Sequence, residues 1–272
     1  MISFLPIQIL DHFAFKSIDV RQNERYTDHS NILNRPRVIR LSMLNAIFEE
    51  ESFCCTKKPY LFHEDPNIPY PYIENHLSNQ EKIQQIEHHF KQILLTLGMD
   101  LEDDSLQKTP NRYAKMLVNE LFCGLKKEDF PTITTQINKF KYHQPVIESH
   151  ISIKSICEHH FIPILGYCHI AYIPNDHIIG LSKLSRVAQY FSRRPQVQER
   201  MTRQIRVCLS EILQTEDVAV VIDAMHLCVR MRGIQDNEAL TRTMDLSGAF
   251  LQDPIQREFF SAIPKLSEMK LR

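Results

Sequence analysis

The order of strand-like and helix-like segments beyond Ile137 constrains the fold of this chain more than any other feature. Alternating apolar residues there predict two strands, the second within FIPILGYCHIAYIP. Two helices follow, one from Leu181 to about Arg193 and a longer one that opens at Pro195. The β-branched segment VAVVIDAMHLCVRMR then predicts a long strand. This order indicates an α+β fold with an antiparallel sheet.

Two amphipathic helices are predicted before the sheet. Ser78 and Glu81 form a capping box, apolar residues recur at helical spacing, and Gly98 ends the run. A second helix begins at Thr109-Pro110, with the proline at the first helical position, and runs to Gly124. We expect these helices to form an antiparallel N-terminal helical pair.

The chain divides into an N-terminal extension and a main domain. Its 272 residues suffice for one large domain or two small ones. Residues 1–75 contain no glycine and no recognisable chemistry, so we expect a poorly ordered extension or an over-long translation start, with a second functional domain as the alternative. Residues 76–272 are predicted to form the main domain, helical at 76–135 and sheet-forming at 136–262.

Charge and cysteine content exclude several classes of protein. Thirty-two Lys and Arg face 33 Asp and Glu, which argues against a general nucleic-acid or anionic-membrane binder. No run approaches the roughly 18 to 20 apolar residues of a membrane span, and the N-terminus lacks the pattern of a secretion signal. A cytoplasmic protein is therefore expected. Its 7 cysteines are then better explained as free thiols or metal ligands than as disulfides.

Two short segments carry the residue types of a zinc site. Cys157 and His160 lie three residues apart, a spacing that lets both reach one tetrahedral zinc ion. In the predicted long strand, His226 and Cys228 are two residues apart and would project from the same face, together with Arg232. The segments together offer three ligands: Cys157, His160 and Cys228.

Two further imidazoles, His159 and His226, accompany these ligands. A structural zinc site has four protein ligands, whereas a catalytic site has three and an open position. Three ligands with two spare histidines therefore favour catalysis, with the imidazoles as proton donors and acceptors. The alternatives are that His159 is a fourth structural ligand or that His226 is a core residue.

Anion-binding residues occur at two predicted helix starts. Ser182, Lys183 and Arg186 lie where free N–H groups and the helix dipole favour phosphate, although an ordinary solvated basic face would look the same. Glu199 lies early in the next helix, where it could cap the helix or accept the two adjacent N–H donors that guanine presents. Spacing alone does not choose between these roles.

Taken together, these motifs resemble the GTP cyclohydrolase I family. The matching segments are KTPNRYAKM, SICEHHFIPILG, GLSKLSRVAQYFSRRPQVQERMTRQI and HLCVRMRGI. The resemblance covers about residues 76–262, and residues 1–75 match nothing in the family. The resemblance implies the tunnelling fold, in which subunits join their sheets into a barrel, and a homo-oligomer such as the decamer of two pentameric rings of bacterial members. It also implies conversion of GTP and water to 7,8-dihydroneopterin triphosphate and formate, the entry step to folate and other pterins.

The resemblance also implies a role for each motif residue. One zinc ion per subunit would be bound by Cys157, His160 and Cys228. Proton transfer during attack of water on guanine C8 would fall to His159 and His226, and Ser182 would assist the later ribose rearrangement. The substrate contacts would be Glu199 and Gln198 at the guanine edge and Lys183, Arg186, Arg232 and Arg112 at the triphosphate, with Arg112 from a neighbouring subunit, so that active sites lie at subunit interfaces.

Two other functions compete with this one. A non-catalytic nucleotide-binding protein could use the same fold, and so could another pterin or deazapurine enzyme. A non-catalytic protein would be expected to lose an acid-base histidine or Glu199, yet His159, His226 and Glu199 are all present. The two histidines, together with the Cys157 and His160 pair, also disfavour the second enzyme class.

Overall fold

The computed structural model describes residues 70–265, so most of the expected N-terminal extension lies outside the described residues. Helix α1 spans Asn79–Thr96 and is capped by Ser78, whose side chain accepts from the Glu81 amide while the Glu81 carboxylate accepts from the Ser78 amide. Gly98 follows with a left-handed φ of +79°, which suits glycine at a helix end.

Helix α2 spans Thr109–Met116, and it ends earlier than the sequence predicts. A π-helical turn over Leu117–Leu121 and a 3-10 turn over Cys123–Leu125 take its place up to Gly124. Gly124 lies where a Cβ would meet the carbonyl oxygens of Tyr190 and Arg193, so the chain has no room for a side chain there. The ring of Phe90 on α1 stacks on Tyr113 of α2, with centroids 3.8 Å apart; the antiparallel arrangement of the helices stays a prediction.

The strands of the described chain are β1 Thr135–Ile137, β2 Val146–Cys157, β3 Pro163–Tyr172, β4 His177–Ile179, β5 Pro195–Gln196, β6 Val218–His226 and β7 Thr241–Leu246. Five of them form the central sheet, in the order β5-β2-β3-β6-β7. Neighbouring strands are antiparallel except β5, which pairs in parallel with β2. A separate two-stranded sheet joins β1 and β4.

Two helices cover one face of this sheet, α3 (Leu181–Ser192) and α4 (Gln198–Leu213). The main core lies beneath them, where Val218, Val220 and Ile222 of β6 belong to one apolar cluster with residues of both helices. The alternate residues of β6 face a smaller core on the other side of the sheet. That core includes Phe259 of α6, which spans Asp253–Ala262. This mixed helix and sheet architecture confirms the α+β prediction and is compatible with the tunnelling fold.

The predicted start of the longer helix at Pro195 is wrong. Pro195 and Gln196 are extended and pair with Ile156 and Cys157 of β2, and α4 begins only at Gln198. Proline is tolerated at the first position of an edge strand because its missing N–H is not needed there. The pairing places the start of α4 directly beside Cys157.

The predicted long strand through Arg232 is also wrong, because β6 ends at His226 and Leu227–Arg230 forms a short helix, α5. His226 pairs with Ile164, so the next residue along β6 would face Pro163, the first residue of β3, which has no N–H to donate. Residues two apart in a helical turn do not share a face. The alternation that predicted a common direction for His226, Cys228 and Arg232 therefore does not apply.

None of the helices formed by residues 70–265 combines the length and the apolar character that crossing a membrane requires.

Candidate active site

Three potential metal ligands converge at one end of the sheet. The ligand atoms of Cys157, His160 and Cys228 all lie within 4.8 Å of one another. Cys157 is the buried last residue of β2, and His160 lies exposed in the turn to β3. That turn is closed by a hydrogen bond from the Phe161 amide to the Cys157 carbonyl, at 2.8 Å. Cys228 comes from α5.

The donor set fits zinc. Two thiols and one imidazole are the soft and borderline ligands that zinc prefers, and a zinc–sulfur bond of about 2.3 Å puts two tetrahedral sulfurs about 3.8 Å apart. The ligand atoms, which lie within 4.8 Å of one another, therefore need only small side-chain movements to bind one zinc ion. Burial and the neighbouring Cys157 raise the pKa of the Cys228 thiol, so binding a metal here would release a proton.

His159 lies beside these ligands without joining them. Its Nδ1 is 3.7 Å from the Cys157 sulfur, compared with 4.0 Å for Nδ1 of His160. Among the described residues, however, only His160 completes a three-residue group with both cysteines. His159 is exposed, which leaves its ring accessible to a bound molecule. This arrangement favours three ligands and a separate imidazole over a four-ligand structural site.

His226, the last residue of β6, is held by Gln198. Its Nε2 is 2.8 Å from Oε1 of Gln198, which is buried at the start of α4. The amide nitrogen of Gln198 donates to the carbonyls of Ile222 and Thr241 and to the Thr243 hydroxyl. These acceptors fix the orientation of the amide, so Oε1 must accept from an N–H at Nε2 of His226. The lone pair of the neutral ring is then on Nδ1.

The charge state of His226 follows from its surroundings. Burial lowers the pKa of His226, and the Glu199 carboxylate acts in the opposite direction. Because burial is the larger influence, the ring is held in its neutral form near pH 7, able to accept a proton at Nδ1. The family resemblance assigned Gln198 to the guanine edge. The contact between its side chain and His226 depends on tertiary packing and has no signal in the sequence.

Two more of the predicted residues lie at this end of the sheet. Nη1 of Arg232 is 2.8 Å from Nε2 of His160, so a cation stands beside the three ligands. Glu199 is exposed in the first turn of α4, close enough to influence His226. The structure thus places a guanidinium beside the Cys157, His160 and Cys228 group and a carboxylate near His226.

The remaining predicted site residues lie away from the metal ligands within the same chain. Ser182, Lys183 and Arg186 are in the first half of α3, where the Ser185 hydroxyl donates to Glu148 at 2.9 Å. Glu148 is near the start of β2, and the nine residues from there to Cys157 span about 30 Å at roughly 3.3 Å per residue. Arg112 is exposed on α2. One chain therefore does not bring the start of α3 to the metal ligands.

Sequence reasoning missed an ion pair within the ligand turn. Glu158, between Cys157 and His159, pairs with Arg200 of α4. Arg200 also donates from Nε to Oε1 of Gln196 at 3.2 Å. The residue types alone gave no signal, because a Glu and an Arg 42 positions apart become neighbours only through the β5 pairing.

Comparisons with known proteins agree with these motifs. Residues 86–264 match the family model described as GTP cyclohydrolase I. A protein named GTP cyclohydrolase 1 from Aeromonas hydrophila is 47% identical over 199 residues, covering 73% of this chain and 91% of that protein. Proteins of the same name from Flavobacterium johnsoniae and Vibrio vulnificus are 49% identical over 187 residues and 47% identical over 197 residues. They cover 69% and 72% of this chain and 84% and 91% of their own lengths.

Proposed function

The chain belongs to the GTP cyclohydrolase I family, and we propose that it converts GTP and water to 7,8-dihydroneopterin triphosphate and formate in a zinc-dependent reaction. The observation that carries this proposal is the convergence of Cys157, His160 and Cys228 at the end of the sheet where His159 and His226 also lie. The alternatives, a non-catalytic nucleotide-binding protein or another tunnelling-fold pterin or deazapurine enzyme, have no observation in their favour.

Cys157, His160 and Cys228 would hold one zinc ion per subunit. Bound there, zinc supplies a Lewis acid that makes water nucleophilic near neutral pH. Formate carries the former guanine C8 at an unchanged oxidation level, with oxygen from water in place of nitrogen. Both bonds from C8 to ring nitrogen must therefore break, and each departing nitrogen needs a proton. The chain supplies the groups that move these protons.

His226 and His159 have different surroundings that suit different roles. The side-chain carbonyl of Gln198 accepts from Nε2–H of His226 and so fixes the orientation of the ring. The lone pair on Nδ1 stays free, so the neutral ring can accept a proton there. His159 is exposed beside Cys157 and can exchange protons with solvent as well as with substrate. We assign His226 as the base and His159 as the group that returns a proton to a departing nitrogen.

The carboxylate and cations arranged around these groups would bind the nucleotide. Glu199 is exposed in the first turn of α4, where its two oxygens can accept the N1–H and the 2-amino group of guanine. Arg232 beside His160 would contact the triphosphate. Gln198 would contribute through its backbone, since its side chain is committed to His226 and to the strand carbonyls.

The rest of the triphosphate site would come from a neighbouring subunit. Ser182, Lys183 and Arg186 lie at the other end of β2 from Cys157, so they can reach a nucleotide at the metal ligands only from another copy of the chain. Within the described residues, β7 is an edge strand that pairs only with β6, which leaves its outer backbone groups for a neighbouring sheet. Both observations support a homo-oligomer whose sheets join into a barrel, with Arg112 also contributed in trans.

Subunit complementation tests the shared site. Lys183→Ala and Cys228→Ser variants are each expected to be inactive, since each lacks one half of every site. Co-expressed and purified as mixed oligomers, they should recover about one quarter of wild-type formate release, because random assembly leaves that share of interfaces with both halves intact. Mixed oligomers as inactive as their parents would show that Lys183 and Cys228 act within one chain.

Replacing Gln198 by Leu separates its two possible roles. Loss of the acceptor at Nε2 frees the His226 ring, so we expect kcat to fall about tenfold with little change in KM for GTP. The matched control is Gln84→Leu, an exposed glutamine on α1, which should behave as wild type. A rise in KM at unchanged kcat would instead assign the Gln198 side chain to guanine binding.

A further inference from the structure

We propose that Tyr70 is a positioning residue for the metal site: its ring holds Arg200, and Arg200 in turn holds Glu158 in the turn between the metal ligands. This inference rests on the proposed function, because it assigns a role at the same site. It extends the working enzyme toward the N-terminus, beyond residue 86, where the family match begins.

Tyr70 is fixed at both its hydroxyl and its ring. It is 8% exposed, and its hydroxyl donates to the Pro195 carbonyl at 2.7 Å. The guanidinium carbon of Arg200 lies 4.7 Å from the ring centroid, and that of Arg194 lies 5.5 Å away. Both distances fall within the range of cation–π attraction. Tyr70 therefore contacts β5 and two arginines, Arg194 and Arg200, which lie before and after β5 in the sequence.

The buried guanidinium of Arg194 helps to hold the Tyr70 ring in place. This arginine is 1% exposed, and within residues 70–265 its Nε and Nη1 have no hydrogen-bond partner. Its guanidinium carbon is 4.8 Å from the Tyr190 centroid and 4.9 Å from the Phe191 centroid. A buried cation without a carboxylate depends on such aromatic faces. Moving Tyr70 would remove one of three rings around this charge.

Arg200 connects the tyrosine to the ligand turn. Its Nη2 pairs with the Glu158 carboxylate, and its Nε donates to Gln196 at 3.2 Å. The Glu158 amide also donates to the Gln196 carbonyl, at 3.1 Å. Glu158 immediately follows Cys157 and lies two residues before His160, so a shift of Glu158 changes the separation of two metal ligands. Outer groups of this kind typically change metal affinity by about 10- to 100-fold.

Zinc affinity, measured by competition with a chromophoric chelator, tests the connection. Tyr70→Leu should weaken zinc binding about tenfold, and Arg200→Gln should do the same. Because Tyr70 acts through Arg200, Tyr70→Leu should have no further effect in the Arg200→Gln background. The cobalt-substituted Tyr70→Leu protein should show shifted absorption bands, which a general loss of stability would not produce. Tyr142→Phe, which changes an exposed tyrosine, is the control and should match wild type.

The outcomes separate this inference from the proposed function. A wild-type protein that binds no zinc or releases no formate from GTP would reject the proposed function. A working wild type whose zinc affinity changes by less than about twofold in Tyr70→Leu, or whose two variants have additive effects, would overturn the inference alone. If Tyr70→Leu does not fold, Tyr70→Met replaces it in the cycle, and an Arg200→Gln protein with wild-type zinc affinity overturns the inference by itself.

Discussion

Replacing Cys228 by Ser is expected to remove zinc from the protein and to lower formate release from GTP by at least about a thousandfold. The structure places the Cys228 sulfur within 4.8 Å of the ligand atoms of Cys157 and His160, and a serine hydroxyl is a much poorer zinc ligand than a thiolate. Two protein ligands would remain, which is fewer than the three of a catalytic zinc site.

The control for this variant is Cys123→Ser. Cys123 lies in the 3-10 turn after α2, where its sulfur contacts the Glu120 carbonyl at 3.4 Å. It should retain zinc and wild-type activity. Metal analysis of both purified variants, alongside the formate assay, checks the prediction. A Cys228→Ser protein that keeps stoichiometric zinc and full activity would exclude Cys228 from the metal site.

Replacing His226 by Ala is expected to lower kcat by about a hundred- to ten-thousandfold while zinc stays near one ion per chain. The side chain is held by Gln198 with its Nδ1 lone pair free, and it lies outside the three-residue ligand group. Its loss should therefore remove proton transfer and leave the metal in place.

The matched control is His143→Ala, at an exposed position between β1 and β2, which should be fully active. Steady-state kinetics and zinc content together distinguish the roles of His226. Loss of zinc from His226→Ala would make this residue a ligand, and wild-type kcat would remove it from the chemistry.

The sequence predicted the local parts of the site better than the parts made by tertiary structure. The spacing of Cys157 and His160 was sufficient because a single turn joins them. Cys228 was chosen by strand alternation, yet β6 ends at His226 and Cys228 reaches the other ligands from α5. The structure groups Cys228 with the other two ligands, as predicted. The strand alternation that led to this prediction is absent at Cys228.

Contacts that depend on the register between strands could not be predicted from the sequence. Whether β6 continues past His226 depends on where its partner strand β3 begins, and Pro163 sets that limit from another segment. The Gln198 contact with His226 and the Glu158 pair with Arg200 arise because β5 places the start of α4 beside Cys157. The segment Pro195-Gln196 resembles a helix start in sequence, and only its pairing partner makes it a strand.

The position of the start of α3 shows a different limit. The family resemblance put Lys183 and Arg186 in the same nucleotide site as Cys157, and helix periodicity correctly predicted the helix that carries them. Periodicity does not tell which end of the sheet a helix starts from. The contact between Ser185 and Glu148 supplies that information, and it supports adding Lys183 and Arg186 to Arg112 among the residues that a neighbouring subunit would contribute.

The most direct test of the whole account is formate and pterin release from GTP by the purified full-length protein, measured before and after zinc is removed by a chelator. We predict stoichiometric formate and dihydroneopterin triphosphate from the zinc-loaded protein, loss of both after chelation, and recovery when zinc is restored. A protein that contains zinc at Cys157, His160 and Cys228 yet releases no formate from GTP would contradict the account.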